Sequence, residues 1–256
     1  MLTMADPLVP NPFTIFFPGG HRAQALWLAP HHTTGQALDL LALEHPRPTL
    51  VLVGGAGWME TASMQRLQVL FNEVLAPLSE DLGLTVIDGG TDAGVMQLIG
   101  QARHRLGGTF PLVGVLPQGQ ARLNAPDFSE CDLEPNHTHF LLTPGQDWGS
   151  ESPWISDLAT ALAKPKPALT LLVNGGKVAT TDFHINLAAG RPMLVLAGSG
   201  RFADEVAAAL AAKADDIPPA LREVIQRYQP SGALLSFDIN LPAANLRRQL
   251  CAYFVG

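Results

Sequence analysis

Four glycine-bearing turns hold most of the chemistry this sequence can offer. They close the runs LVLVGGAG (50–57), TVIDGGTDAGVM (85–96), LTLLVNGGK (169–177) and MLVLAGSGR (193–201). Each run begins as an apolar strand and leads into a segment with helical spacing. Glycine at a strand end lets backbone approach a ligand closely. The helix that follows offers free N–H groups and its positive dipole end to an anion. One such turn is common in α/β proteins. Four at the carboxyl edge of one parallel sheet point to a site for a phosphorylated or nucleotide-like small molecule.

The first turn contributes Gly54 and Gly55. In the second, Gly89, Gly90 and Thr91 read as an anion cradle, with Asp92 as the N-cap of the next helix. A carboxylate there competes with an anionic ligand for the same amides. The third turn holds Gly175, Gly176 and Lys177. Lys177 sets an ammonium near a phosphate or is a plain surface lysine. Nothing fits the P-loop pattern GxxxxGK[ST]. The fourth, Gly198, Ser199, Gly200 and Arg201, is the sharper signal. An arginine in the first helical turn is unfavourable unless an anion offsets it. A forked phosphate contact would do so, and so would Asp204, three residues on.

Asn136 and His137 open a further motif, NHTH. Strand alternation puts His137 and His139 on one face. No third metal ligand has convincing spacing, so no metal is expected. The pair reads as hydrogen-bond donors to a base, ribose or phosphate, or as a structural pair under residues 117–136. No GxSxG elbow or Cys–His pairing supports nucleophilic catalysis.

The elements needed to position these residues are legible. Strands are expected over 13–20 (with its turn), 23–30, 50–53, 84–87, 111–116, 138–142, 168–173, 193–196 and 233–239. Helices are expected over 33–43, 61–82 (kinked or ended at Pro77), 92–106, 152–163, 181–189, 202–213, 219–228 and 241–254. Alternation of the two predicts an α/β fold: Rossmann-like, with a mostly parallel sheet and helices on both faces. The 256 residues are read as one domain, with a core over about 50–210 and a last strand and helices of 211–256 packed on it. Residues 117–136 have little periodicity and read as a lid or lip over the site.

Composition agrees. Charged residues are 15% and hydrophobic ones 47%, as expected of strands covered on both faces. A net charge of −7 argues against a nucleic-acid surface. Cys131 and Cys251 read as reduced thiols of a cytoplasmic protein. No signal peptide or membrane-length apolar run is visible, so no membrane insertion is expected.

Together, GGTDAGVM, PNHTHFLL, LLVNGGK and LAGSGRFADEVA resemble the SLOG domain of melastatin-type TRP channels. The closer likeness is to its stand-alone prokaryotic version. The resemblance spans about residues 50–210, and its specific parts are the NH(S/T)HF and GSGR pieces. It implies a Rossmann-like pocket for a nucleotide derivative such as ADP-ribose, NAD or a cyclic nucleotide. It also implies a role in sensing or processing that ligand. The wider superfamily includes the LOG phosphoribohydrolases, which carry PGGxGTxxE with a catalytic Glu. Here the aligned stretch is NGGKVATTD. Val178 and Ala179 replace the second Gly and the Thr, and Asp182 stands in the acid's place, one methylene shorter. Val178 disfavours LOG-type hydrolysis by this loop.

Three functions follow. The first is a ligand-sensing domain acting through a homodimer or an effector protein, with a nucleotide-like ligand and no certain cofactor. The second is a hydrolase of an N-glycosidic or phosphoester bond, with Asp182, Glu134 or Asp88 as acid or base. The third is an oligomeric scaffold with a vestigial site. Trp148, Trp154 and the apolar Leu241, Leu246, Leu250, Tyr253 and Phe254 motivate both scaffold and dimer.

Overall fold

The computed structural model describes residues 11–55, 61–121 and 133–255. The strands are β1 (Phe13–Phe16), β2 (Arg22–Trp27), β3 (Thr49–Gly54), β4 (Thr85–Asp88), β5 (Leu112–Pro117), β6 (His139–Thr143), β7 (Ala168–Val173), β8 (Met193–Ala197) and β9 (Leu234–Asp238). The helices are α1 (Thr34–Leu40), α2 (Thr61–Leu70), α3 (Ala76–Asp81), α4 (Gly94–Leu106), α5 (Ser152–Ala163), α6 (Lys177–Ala188), α7 (Arg201–Ala211), α8 (Pro219–Tyr228) and α9 (Ala243–Val255).

One nine-stranded sheet runs in the order β1-β2-β6-β5-β4-β3-β7-β8-β9. Every pairing is parallel except that of β1 with β2. From β3 the chain steps outward through β4, β5 and β6. It then crosses back to lay β7 on the other side of β3 and proceeds through β8 to β9. The strand order therefore reverses at the β3/β7 boundary. In open α/β sheets the crevice at the carboxyl end of such a boundary is where ligands sit.

Strand alternation divides the core. Val51 and Val53 face one side with α5, α6 and α7, while Leu50 and Leu52 face the other with α4 and the α2–α3 segment. Both sides are covered, so the strands are apolar throughout, which made them readable. Leu246 and Leu250 of α9 are buried, and Leu241, Tyr253 and Phe254 pack against the same cluster. The apolar faces of α9, which suggested an oligomer surface, thus serve intramolecular packing.

Several boundaries differ from the sequence reading. Pro77 does not end the helical segment, since α3 opens beside it at Ala76. A five-residue π-helical stretch, Phe71–Leu75, joins α2 to α3, and the Ala76 amide donates to Phe71 O. The wider turn lets the chain enter Pro77, which has no N–H to give, at the start of α3. Asp92 is not an N-cap. The N-cap of α4 is Ala93, without a side-chain hydrogen bond, and Asp92 Oδ1 accepts from Gln97 Nε2 at 3.0 Å. α6 starts at Lys177, four residues earlier than expected, because extended Gly176 turns directly into the helix and its carbonyl accepts from the Thr180 amide at 3.0 Å. The middle of the expected lid, 122–132, and Cys131 with it, lies outside the described residues. The segment's end docks on the second glycine turn through a Thr91–Leu133 bridge and a Glu134 N–H bond to Gly90 O at 3.0 Å.

Gly90 shows how tightly that turn is built. Its φ is +69°, and a Cβ there would lie 2.8 Å from Gly114 Cα. Backbone against backbone leaves no room to relax. Gly90→Ala is therefore expected to destabilise the chain by about 2 kcal/mol or more. Urea denaturation would measure it, and an unchanged midpoint would contradict this packing.

Candidate functional site

A cavity of about 530 Å³ opens at the carboxyl edge of the sheet, where the strand order reverses. Its floor is the end of β3, with Leu52, Gly54 and Gly55. The turn after β4 gives Gly89 and Thr91, and Met96 of α4 completes that wall. The opposite wall is the start of α6, with Gly176, Lys177 and Asp182, while α7 adds Arg201 and α5 adds Glu151 and Ile155. Trp148, 43% exposed, stands in the lining just before α5.

Four helices begin around this cavity, and none has a side-chain cap on its first amides: α4 after Ala93, α5 at Glu151, α6 after Gly176 and α7 after Gly200. By contrast, α1 has a complete capping box between Thr33 and Gln36. Uncapped first-turn N–H groups and the helix dipoles favour an anion.

Arg201 has φ +50°, a conformation that a side chain makes unfavourable. From there its guanidinium covers the glycine turns. A Cβ built on Gly176 would lie 2.9 Å from Arg201 Nη2, and one on Gly55 would lie 3.5 Å from Nη1. Glycine at both positions thus lets the guanidinium settle on bare backbone. Asn174 is also strained, at φ +57°, and ties the third turn to the fourth. Its amide donates to Ser199 Oγ at 2.8 Å, and its carbonyl accepts from the Ala203 amide at 2.8 Å. Backbone strain of this kind persists where surrounding contacts enforce it, and it gathers at functional sites.

The cavity also has an acidic side. Asp182 is 7% exposed, and its Oδ1 is buried with no partner within hydrogen-bond distance among the described residues. Burial raises its pKa to about 7; the nearby Glu151 carboxylate pushes the same way, and Ser152 pulls it down. Glu151 is 3% exposed, and burial raises its pKa as well, while the Gly149 amide donates to its Oε2 at 2.6 Å.

The sequence-derived candidates therefore divide. Gly54, Gly55, Gly89, Thr91, Gly176, Lys177, Asp182 and Arg201 meet in the cavity lining. Gly90 packs against Gly114 and Phe140, and Gly175 against Ala179. Gly198 packs against Ile239, and its amide donates to Asp204 Oδ1 at 2.6 Å, so Asp204 serves its own turn. Ser199 is buried, and its hydroxyl donates to Leu196 O. Gly200, at φ +102°, shapes the entry to α7.

Asn136 and His137 lie outside the lining altogether. His137 is 1% exposed and bridges two carboxylates, with Nε2 at 2.9 Å from Asp88 Oδ1 and Nδ1 at 2.9 Å from Glu134 Oε2. Burial opposes its charge, but the Asp88 and Glu134 carboxylates prevail and raise its pKa to about 9. Its contribution to stability is thus full below about 6.5 and is lost as pH rises through about 9. Asp88 Oδ1 also accepts from the Gly90 amide at 2.7 Å, and the Asn136 amide donates to Glu134 Oε2 at 2.9 Å. This is a buried network bracing the second turn, and it removes Asp88 and Glu134 from the candidate acids and bases at the cavity. His139 does not share a strand face with His137, because β6 begins only at His139. Burial, with Arg103 nearby, lowers its pKa to about 4. Glu151 is the cavity residue that the sequence did not reveal. It is 31 positions from Asp182, and only the packing of α5 on α6 brings the two together.

These features define a Rossmann-like protein with a cavity at the switch of strand order. The family model described as "SLOG in TRPM, prokaryote" matches residues 47–237, and the chain belongs to that family. It is similar to the transient receptor potential cation channel subfamily M member 2 of Rattus norvegicus, 25% identical over 223 residues. That match covers 68% of this chain and 14% of the channel. A member-like 2 protein of Nematostella vectensis is 26% identical over 205 residues, covering 64% and 13%. The chain thus spans about one seventh of the length of these relatives. Among solved structures, the structural-genomics target TM1055 superposes with TM-score 0.50 and 17% identity, covering 79% of this chain and 99% of that one. The molybdenum cofactor binding protein of Rippkaea orientalis does so with TM-score 0.50 and 10% identity, covering 80% and 96%. At these identities the likeness shows the fold. No helix among the described residues is long and apolar enough to cross a membrane.

Two outcomes test the site. Both Arg201→Gly and Arg201→Ala delete the side chain, so their difference isolates the backbone. Glycine is expected to be the more stable by about 1 kcal/mol, roughly 2–4 °C in midpoint. An alanine variant as stable as the glycine one would contradict the strain. For Asp182, the folded carboxyl binds its proton more tightly than the unfolded one. Its contribution is present below the unfolded value near 4 and is lost as pH rises through about 7. Asp182→Asn should therefore raise the thermal midpoint most at pH 8.5, by several degrees, and distinctly less at pH 5. Equal effects at both would contradict the burial of a titrating group.

Proposed function

We propose that the chain is a sensor domain that binds a nucleotide derivative of the ADP-ribose, NAD or cyclic-nucleotide type in this cavity. The observation that carries the reading is the convergence of uncapped helix N-termini with Arg201 on a 530 Å³ space at the strand-order switch. Phosphate oxygens suit the bare amides at Gly55 and Gly176 and the Arg201 fork. Lys177, exposed at the cavity lining, adds a point charge. Trp148 offers a face on which a base can stack. The proposed setting is the cytoplasm, and the proposed output is a change of association, as a homodimer or with an effector protein.

A second reading, hydrolysis of the bound ligand, is favoured by one observation. A general acid needs a pKa near the working pH, and Asp182 has one in the cavity wall. On this reading, Asp182 protonates a leaving group as its glycosidic or phosphoester bond breaks.

Calorimetric titration with ADP-ribose, NAD and cyclic nucleotides tests the first reading. At a free ligand concentration of about 100 Kd, a bound ligand stabilises the native chain by about 2.7 kcal/mol. That stabilisation should be strongly reduced in Arg201→Ala. No binding by any member of the panel would overturn the proposal. Release of base or phosphate by the wild type, lost in Asp182→Asn, would establish the second reading in place of pure sensing.

A further inference from the structure

The cavity is electrostatically two-ended. Arg201 and Lys177 stand with the glycine turns, while Asp182, Glu151 and Asp92 are the carboxyl groups in the lining. Asp92 is engaged by Gln97. Asp182 and Glu151 are both more than nine-tenths buried; Asp182 lies in the second turn of α6 and Glu151 is the N-cap of α5, which packs on α6. The buried Ser152 hydroxyl lies beside Asp182 and lowers its pKa as a hydrogen-bond donor, while the Asp182 Oδ1 atom has no partner within hydrogen-bond distance among the described residues. A buried carboxylate oxygen without a partner, in the wall of a cavity, is explained most simply by a partner that enters the cavity.

We propose that Asp182 and Glu151 are the specificity-determining end of the cavity, recognising a pair of sugar hydroxyls on the bound ligand. This rests on the nucleotide reading above. Burial, with the Glu151 carboxylate adding to it, keeps Asp182 protonated into the neutral range, with a pKa of about 7. A singly protonated pair offers one O–H donor and several acceptor oxygens. A vicinal diol, which both donates and accepts, matches that set. A second phosphate does not, since it would face the remaining negative charge. An amine does not either, since it would favour both carboxyls ionised. The ligand therefore lies with its phosphates towards Arg201 and its sugar towards Asp182.

The sign of the pH dependence separates these chemistries. ADP-ribose is a suitable probe because its pyrophosphate does not titrate between pH 6 and 8.5. The groups that face Asp182 across the cavity are Glu151, Asp92, Lys177 and Arg201. Asp182 has a pKa of about 7, raised by burial and by the Glu151 carboxylate.

The test is the affinity of the whole chain for ADP-ribose at pH 6, 7 and 8.5, in wild type, Asp182→Asn and Asp182→Ala. It is paired with ADP against 2′,3′-dideoxy-ADP at pH 6.5. The wild type should lose affinity above pH 7, by up to about tenfold per pH unit. Asp182→Asn, which keeps the shape and a donor, should bind without that pH dependence. Asp182→Ala should bind about tenfold more weakly at pH 6. ADP should bind the wild type about tenfold better than its dideoxy analogue, and this preference should vanish in Asp182→Ala. Affinity for ADP-ribose that is flat with pH in the wild type, or that rises with it, would overturn the assignment while leaving the nucleotide reading intact. So would equal binding of ADP and dideoxy-ADP. Failure of the wild type to bind ADP-ribose or ADP at any pH would overturn the nucleotide reading itself, and this assignment with it.

Discussion

A parallel sheet leaves its helices starting at the carboxyl edge of its strands, and the first amides of each helix need an acceptor. In this chain the helices that begin around the cavity receive none from a capping side chain. Much of the local structure follows from keeping that edge bare and closely packed. Gly54 allows β3 to press against β7 and Val95, where a Cβ would sit 2.7 Å from Val173 O. Gly176 gives the Arg201 guanidinium a seat on backbone, and Arg201 adopts a strained φ to reach it. A bound anion at this edge would accept from the helix amides and face the Arg201 guanidinium.

The edge is held in shape from beneath. The second turn hangs on Asp88, whose Oδ1 takes the Gly90 amide and one nitrogen of His137, while Glu134 takes the other. Three ionisable groups are buried here in mutual contact. Replacing His137 would leave two carboxylates uncompensated, which is strongly destabilising. The network joins β4, the second turn and the segment entering β6, elements far apart in the chain. Its role is to fix geometry near the cavity, and its members do not reach the cavity lining.

Much of this was legible in the sequence, for physical reasons. Strands buried on both faces are continuous apolar runs, so LVLV, LTLLV and MLVLA stood out, and several of the glycines after them line the cavity. α5 and α8 were delimited correctly, each opening close to a proline. What failed depended on contacts between distant residues. Asp92 has the chemistry of an N-cap, yet Gln97 holds it elsewhere. Alternation paired His137 with His139, but His137 sits in the turn before the strand and answers to Asp88, 49 positions away. Of the fourth turn, GSGR, only Arg201 reaches the lining; its glycines and serine shape the loop that aims the arginine. Pro77 was read as a breaker because a π-helical turn leaves no trace in apolar spacing.

The central claim is that the bare edge between β3 and β7 receives the anionic part of a nucleotide. The most direct measurement is a crystal structure of the chain grown with ADP-ribose. The account predicts phosphate oxygens within hydrogen-bond distance of the Arg201 guanidinium and of the backbone amides at Gly55 and Gly176, with the terminal or adenosine ribose against Asp182. A ligand bound elsewhere, or one bound in the cavity with its phosphates turned away from Arg201, would contradict it.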